Sequence, residues 1–358
     1  MYVVIMAGGG GTRLRPVSTA ARPKPFLPLL PTGETLLQRT VRRLAGLEPG
    51  PVDVFVVAAA PYVPLVAAQA PGAAVVVEPE GRNTAAAIAL AALAIERDED
   101  DVMVVLPADH RIEPEREGVF RGVLAAAAGL ATGAFDVPQP LVTLGVQVSR
   151  PATEYGYLLP AYERGADIHR LRAYPLLAFE EKPSPERAQV LLRSPGVAWN
   201  AGMFLWRRRA IRAALEAHAP DVAEAVARGL ASGDLAAAYA TIRPRSIDYA
   251  VMEPAASAGA VVMGAMDVGW TDIGSWPALL DVLDAPGIEG GVVEAGEPVA
   301  TAEGDLIVER GAAGLAVREA GGGTITPDRP VALLRAARDS RAIVQALLDR
   351  CAAAEARG

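Results

Sequence analysis

One cysteine, Cys351, is all that the chain has among its 358 residues, and this excludes an internal disulfide framework. Lysine and asparagine are almost as scarce: of the 34 basic residues only Lys24 and Lys182 are lysine, and Asn83 and Asn200 are the only asparagines. Scarcity of Asn and Cys fits a thermophile or a GC-rich genome. Where drift has replaced Lys by Arg and removed Asn wherever either change is tolerated, the four survivors mark places that need that side chain. An ammonium is a compact point charge that the flat fork of arginine does not mimic. Excess positive charge is lacking too. A formal charge of -8 and a pI near 5.1 argue against a nucleic-acid partner, although they leave room for a local cationic pocket. The Ala-rich apolar runs are short and interrupted by charge, whereas a membrane span needs about 20 consecutive apolar residues. The N-terminus opens on a strand rather than on a charged, apolar, small-residue leader. These absences predict a cytoplasmic protein with neither membrane nor nucleic acid as partner. The 51% of apolar residues suffices for a large domain and a smaller one.

Tyr2-Val3-Val4-Ile5-Met6 is a β-rich apolar run feeding directly into Gly8-Gly9-Gly10-Gly11, and so reads as a buried strand followed by a glycine loop. Similar runs recur at 52–58, 74–77, 102–106 and 141–146, with helical patterns at 35–47, 84–97 and 119–130. Alternating strands and helices imply an α/β fold: a Rossmann-like, mainly parallel sheet with helices on both faces and ligands at the carboxyl ends of the strands. Beyond Trp276 the texture changes. Short β-like pieces at 291–294, 305–309, 315–319 and 324–326 are spaced by glycine-rich turns, and 339–354 looks helical, with Ile343, Val344, Leu347, Leu348 and Cys351 on one face. The expected organisation is therefore a domain over 1–282 and a small β-rich, β-helix-like domain over 283–358 ending in a helix. The tail reads as a packing module, and its helix is a candidate homodimer contact.

The loop after the first strand, Met6-Ala7-Gly8-Gly9-Gly10-Gly11-Thr12-Arg13-Leu14-Arg15-Pro16, lets successive backbone N–H groups turn inward onto phosphate oxygens. It is not the dinucleotide fingerprint, because Arg13 stands where the third glycine belongs, and no Gly-Lys-Ser/Thr ending makes it a P-loop. Arg13 can cap outer phosphates with a bidentate guanidinium. In Arg22-Pro23-Lys24-Pro25-Phe26-Leu27 the flanking prolines hold Lys24 with little residual freedom.

The pairing of Gly8-Gly9-x-Gly11-Thr12-Arg13-Leu14-x-Pro16 with Pro23-Lys24-x-x-Leu27 resembles the signature of nucleoside-diphosphate-sugar pyrophosphorylases. The resemblance implies that Ala7, Gly8, Gly9, Gly11, Thr12 and Arg13 bind the nucleotide and that Arg13 and Lys24 neutralise the reacting phosphates. It also implies that Asp109, in Pro107-Ala108-Asp109-His110 at the end of a strand, ligates Mg²⁺ with Asp272 of Gly269-Trp270-Thr271-Asp272-Ile273-Gly274. His110 is as well explained by packing. Gly156, in Tyr155-Gly156-Tyr157, would let backbone amides approach a sugar hydroxyl. Glu181 and Lys182, in the Glu-Lys-Pro segment, carry over as ligands of the sugar hydroxyls and the sugar phosphate. The Asn200 amide can both donate to and accept from a sugar hydroxyl.

Glu78-Pro79-Glu80-Gly81-Arg82-Asn83-Thr84-Ala85-Ala86 narrows the resemblance to bacterial mannose-1-phosphate guanylyltransferases, with Glu78, Asn83 and Thr84 near the nucleotide. The Asn200 and Asp248 segments agree, so that the likeness spans roughly residues 1–280. Arg15 stands where those enzymes commonly have Trp, and Pro25 where they commonly have Gln. The expected substrates are GTP and mannose 1-phosphate, with catalysis by Arg13, Lys24, Asp109, Lys182 and Asp272. The tail leaves no room for the isomerase domain of longer relatives, so transferase activity alone is expected. The alternatives are another sugar-1-phosphate nucleotidyltransferase, using glucose 1-phosphate with UTP, dTTP or ATP, and a non-catalytic regulatory paralogue that binds sugar nucleotides.

Overall fold

The computed structural model describes residues 1–9, 11–47, 52–335 and 337–356. Gly10, part of the expected glycine loop, lies outside the described residues. The chain forms two compact units: Met1–Gly8, Arg43–Pro107 and Ile112–Trp270 make the first, and Gly9–Arg42, Ala108–Arg111 and Thr271–Gly358 the second.

The first unit contains β1 (Tyr2–Met6), β2 (Asp53–Ala59), β3 (Ala74–Glu78), β4 (Val102–Pro107), β5 (Leu141–Gln147), β6 (Gly156–Pro160), β7 (Ala166–Ile168), β8 (Leu171–Glu181), β9 (Ala198–Arg207) and β10 (Val261–Met266). They form one sheet in the order β3-β2-β1-β4-β9-β5-β10-β8-β6, with β7 beside β8. Val3, Val4 and Ile5 of β1 and Val104 and Leu106 of β4 are at most 1% exposed. Successive residues point to opposite faces, so both faces are covered, which is why these strands read as continuous apolar runs. The helix Asn83–Ala94 is buried all round from Ala85 to Ala92, as a helix without a polar stripe must be.

The sheet is mixed rather than mainly parallel. β3, β2, β1 and β4 run parallel, as do β5 and β10, but β9 runs antiparallel between β4 and β5, and β8 and β6 are antiparallel as well. Hydrophobic periodicity reports which face a residue takes and carries no strand direction. The order is nevertheless decisive at one place: β1 sits between β2 and β4, with Met6 opposite Pro107. Both strands end at the same edge where the order reverses, the position at which open α/β sheets bind ligands.

The second unit contains β11 (Glu289–Val293), β12 (Val299–Gly311), β13 (Gly314–Ile325) and β14 (Val331–Arg335), an antiparallel sheet in the order β11-β14-β12-β13. This is not a β-helix, because a two-residue turn folds β12 directly back onto β13 and forces antiparallel pairing. The glycines at 321–323 run through β13 instead of dividing it. The helix Arg341–Ala356 buries Val344, Leu347, Leu348 and Cys351 in a core shared with Leu14, Val17, Leu27 and Trp276. The second unit thus joins residues 9–42 and 108–111 to the C-terminal part of the chain, and Leu14, Val17, Leu27, Leu29, Leu30 and Leu36 lie in its core.

Candidate active site

In the second unit Lys24 opens a short 3₁₀ turn, Lys24–Phe26, that Pro25 presets. The side chain is 7% exposed, and its Nζ lies 2.9 Å from Asp109 Oδ2 while also donating to the backbone carbonyl of Asp272. The carbonyl of Ala108 accepts from Thr40 Oγ1 at 3.3 Å. Arg111 and Thr271 exchange both backbone hydrogen bonds, N to O 2.9 Å and 3.1 Å. That two-residue ladder is what draws the Asp109 and Asp272 segments together. Burial by itself pushes the Asp109 carboxyl up, but the Lys24 charge, the nearby His110 and the Lys24 hydrogen bond outweigh it and hold the group below its ordinary value. His110 Nε2 lies 3.9 Å from Asp109 Oδ1, so this histidine does border the acidic group.

Gly11 closes the other side of Lys24. Its φ is +58°, and a Cβ there would lie 2.9 Å from both the backbone N and the Cβ of Lys24, so only glycine fits against the lysine. Thr12 and Arg13 are exposed on the turn that follows, and Leu14 is buried beneath them. Asp272 Oδ1 accepts from the backbone N–H of Gly274 at 3.0 Å. The residue between, Ile273, has a φ of +45°, a conformation that costs a β-branched residue about 1–3 kcal/mol. The two departures from the guanylyltransferase pattern have plain roles here: Arg15 NH1 is 3.2 Å from both carboxylate oxygens of Glu294, and Pro25 shapes the lysine turn.

The first unit holds the other predicted residues: Ala7, Gly8, Glu78, Asn83, Thr84, Gly156, Glu181, Lys182 and Asn200. They fall into two groups. Near the end of β3, Glu78 is 3% exposed, and its Oε1 has no hydrogen-bond partner. Burial raises its carboxyl to about 7 against a weaker opposing backbone hydrogen bond from Arg82. A Cβ on Gly8 would stand 3.4 Å from Glu78 Oε2, which sets the start of the glycine loop beside this acid. Asn83 has a φ of +69° and caps Thr84 N through its side-chain oxygen at 2.8 Å. Thr84 Oγ1 accepts from Ile247 N at 2.9 Å, so this hydroxyl ties the helix start to the segment that carries Asp248.

The second group centres on Asn200 and Asp248. Thr143 Oγ1 and Gly202 N donate to Asn200 Oδ1 at 2.8 Å and 3.1 Å, which fixes the amide orientation because a backbone N–H can only donate. Both lone pairs of that oxygen are engaged, so Asn200 serves as a donor, and its Nδ2 gives a 2.9 Å bond to Asp248 Oδ1. Burial, then the Glu181 charge, raises Asp248 to about 7, against hydrogen bonds from its own backbone and Ser246 and against the Lys182 ammonium. Lys182 Nζ is 2.9 Å from Glu181 Oε1, the lysine 55% and the glutamate 8% exposed. Gly156 faces Glu181 across β6 and β8, and a Cβ there would meet Glu181 Oε2 at 2.5 Å. The glycine thus makes room for a carboxylate. Lys182, too, has a positive φ, +47°. Tyr155 packs on Trp199 and Trp270, ring centroids 5.0 Å and 5.7 Å away.

Sequence reasoning missed Thr143, although a hydroxyl inside the apolar run at 141–146 is the signal that would have found it. It also missed Glu253, whose Oε1 accepts from Glu181 N at 2.8 Å, and no sequence pattern announces that contact.

A buried ammonium that grips one aspartate and the peptide of another suits an enzyme of phosphate chemistry. More narrowly, the chain belongs to the nucleotidyl transferase family, which it matches over residues 2–286. Enzymes of this family typically use a divalent metal. The chain is 39% identical over 293 residues to a mannose-1-phosphate guanylyltransferase of Sinorhizobium fredii, covering 77% of this chain and 53% of that protein. It is 37% identical over 300 residues to the enzyme of that name in Escherichia coli K12, covering 79% and 59%. A Thermus thermophilus structure described as a mannose-1-phosphate geranyltransferase is 35% identical with a TM-score of 0.68, and the match covers 78% of each chain. The chain therefore spans little more than half the length of the Sinorhizobium and Escherichia enzymes. Among the described residues no helix is long and apolar enough to cross a membrane.

Proposed function

We propose that the chain transfers GMP from GTP to mannose 1-phosphate, giving GDP-mannose and pyrophosphate. The observation that carries this reading is the grip of Lys24 on Asp109 and on the Asp272 peptide, an arrangement of hard oxygen donors and positive charge suited to polyphosphate. The relatives named mannose-1-phosphate guanylyltransferase support the choice of substrates.

Asp109 and Asp272 would hold a Mg²⁺ ion, a hard cation that takes carboxylate oxygens. When bound, the ion supplies charge neutralisation at the phosphates. Backbone N–H groups of Gly11 and Thr12 and the Arg13 guanidinium hold the triphosphate. An oxygen of the sugar phosphate attacks the α-phosphorus, the new P–O bond forms as the bond to the pyrophosphate oxygen breaks in line, and pyrophosphate leaves. The nucleophile is already an anion, so no proton needs to be removed, and catalysis consists of holding two anions in line and shielding their repulsion. Lys24 provides that shielding as a point charge in its unit, and Lys182, in the other, is the cation for the sugar phosphate.

Glu78 carries the choice of base. Guanine presents two adjacent donors, its ring N–H and its amino group, which a carboxylate accepts together. The buried, unpartnered Glu78 oxygen suits such a pair. Glu181, beside Gly156, accepts from the sugar hydroxyls, and Asn200, with Asp248 behind it, donates to them.

Pyrophosphate release from GTP, ATP, UTP and dTTP against mannose 1-phosphate and glucose 1-phosphate, with Mg²⁺ and with EDTA, tests the reading. Release confined to GTP with mannose 1-phosphate and abolished by EDTA is the expected result. Another preferred pair refutes the substrate assignment, and silence in every combination from folded protein refutes the reaction.

A further inference from the structure

Arg310, in β12, spends its guanidinium on the glycine-loop segment. Its Nε donates to the carbonyl of Pro16 at 3.1 Å and its NH2 to that of Val17 at 3.4 Å. The same guanidinium is held by a fork from the last turn of the terminal helix: NH1 donates to Glu355 Oε2 at 3.0 Å and NH2 to Glu355 Oε1 at 2.8 Å. These contacts span 294 and 45 residues of chain and lie wholly within the second unit. The segment they grip leads straight to Lys24. Ser18, next to Val17, donates through its hydroxyl to the Gly11 carbonyl, and Gly11 is the residue pressed against the Lys24 backbone. Three further contacts hold the same stretch: Trp276 Nε1 donates to the Arg15 carbonyl at 3.0 Å, Arg350 NH2 to that of Leu29 at 3.2 Å, and Leu14 and Val17 share a core with Leu347 and Leu348.

We propose that Arg310, oriented by Glu355, is a positioning residue for the phosphate-binding loop, so that the C-terminal sheet and helix set the geometry of residues 11–24. The physical requirement is a fork. Four donor contacts in two directions from one planar group satisfy two carbonyls and a carboxylate at once, whereas an ammonium directs its donors from a single atom. The carbonyls that the fork holds are those of Pro16 and Val17, and the neighbouring Ser18 hydroxyl carries that order to the Gly11 carbonyl. The inference rests on the nucleotidyl-transfer reading for its kinetic consequence, although not for its structural one.

Three variants test it in the full chain. Arg310→Met keeps the apolar stem and removes the fork, Arg310→Lys keeps the charge, and Glu355→Gln leaves the carbonyl contacts while weakening the clamp. Amide hydrogen exchange of residues 11–18 is expected to quicken about tenfold in Arg310→Met and by a smaller factor in Glu355→Gln. With this, kcat falls about tenfold while KM for mannose 1-phosphate stays within about twofold. Arg310→Lys should recover little. Unchanged exchange at 11–18 overturns the proposal. Full recovery by Arg310→Lys overturns the fork, and exchange rising throughout β12, β13 and the terminal helix with a collapsed melting temperature makes Arg310 a folding residue only. If the unaltered chain releases no pyrophosphate from any substrate pair while Arg310→Met still loosens 11–18, the reaction is refuted and the buttress stands.

Discussion

Lys24 Nζ lies 2.9 Å from Asp109 Oδ2 across 85 residues of chain, and it reaches the carbonyl of Asp272 across 248 residues. The lysine is buried, so it neutralises the carboxylate at short range in a setting where water screens poorly. Lys24→Met should lower kcat by a factor of about 100 or more, since a charge that stabilises the transition state is lost. Lys24→Arg should not restore it, because a planar fork does not fit a site shaped for a point charge. Steady-state kinetics on both variants decide this, and wild-type rates in either would remove Lys24 from the chemistry.

Gly11→Ala places a Cβ 2.9 Å from the Lys24 backbone at a φ of +58°. Strain of about 1–2 kcal/mol from the backbone alone, together with a displaced lysine, should cut kcat more than it lowers the melting temperature. A thermal scan run beside the kinetics distinguishes a misplaced lysine from a general loss of fold.

Glu78 titrates at about 7 in the folded chain, above the ordinary value of about 4.3. Between those values the native state binds more protons than the unfolded one, so the contribution of Glu78 to stability is full below about pH 4 and is lost as pH rises toward 7. Guanine donors need the ionised form. KM for GTP should therefore fall as pH rises through 7, with KM for mannose 1-phosphate following a different profile, and Glu78→Gln should flatten the GTP profile and raise that KM about tenfold or more. An unchanged profile in the variant would detach Glu78 from the base.

Asp248 also titrates at about 7, raised by burial and by the Glu181 carboxylate and opposed by Ser246 and Lys182. Its ionised form accepts from Asn200 Nδ2, so acid conditions loosen the amide that Thr143 and Gly202 orient. KM for the sugar phosphate should rise as pH drops below 7. Thr143→Val should raise it about threefold to tenfold at pH 8, where Asp248 is ionised, and Thr143→Ser should bring it back. A pH-independent KM in the unaltered chain would count against this assignment.

The positive-φ positions show what was legible and what was not. Asn83 and Lys182 stand out in the sequence because their residue types are nearly missing from it, and both prove to sit in left-handed backbone. Strain of this kind persists where surrounding contacts over-determine it. Ile273, equally strained beside Asp272, carries no mark in the sequence, since isoleucine is common and its conformation is imposed by the Arg111–Thr271 ladder and the Asp272–Gly274 turn.

The amino-acid sequence by itself determined the local chemistry: a buried first strand running into a glycine loop, a lysine stiffened by two prolines, an aspartate at a strand end, and an apolar face on the terminal helix. Those features rest on neighbours within a few residues, where φ/ψ preference and hydrophobic period decide. Only the tertiary structure decided that β9 runs backwards between β4 and β5, that the C-terminal pieces form an antiparallel sheet, that Asn200 is a donor, and that Arg310 and Glu355 grip the loop near Lys24. Each of these depends on which distant backbone groups pair, and that choice is made by the whole packed core.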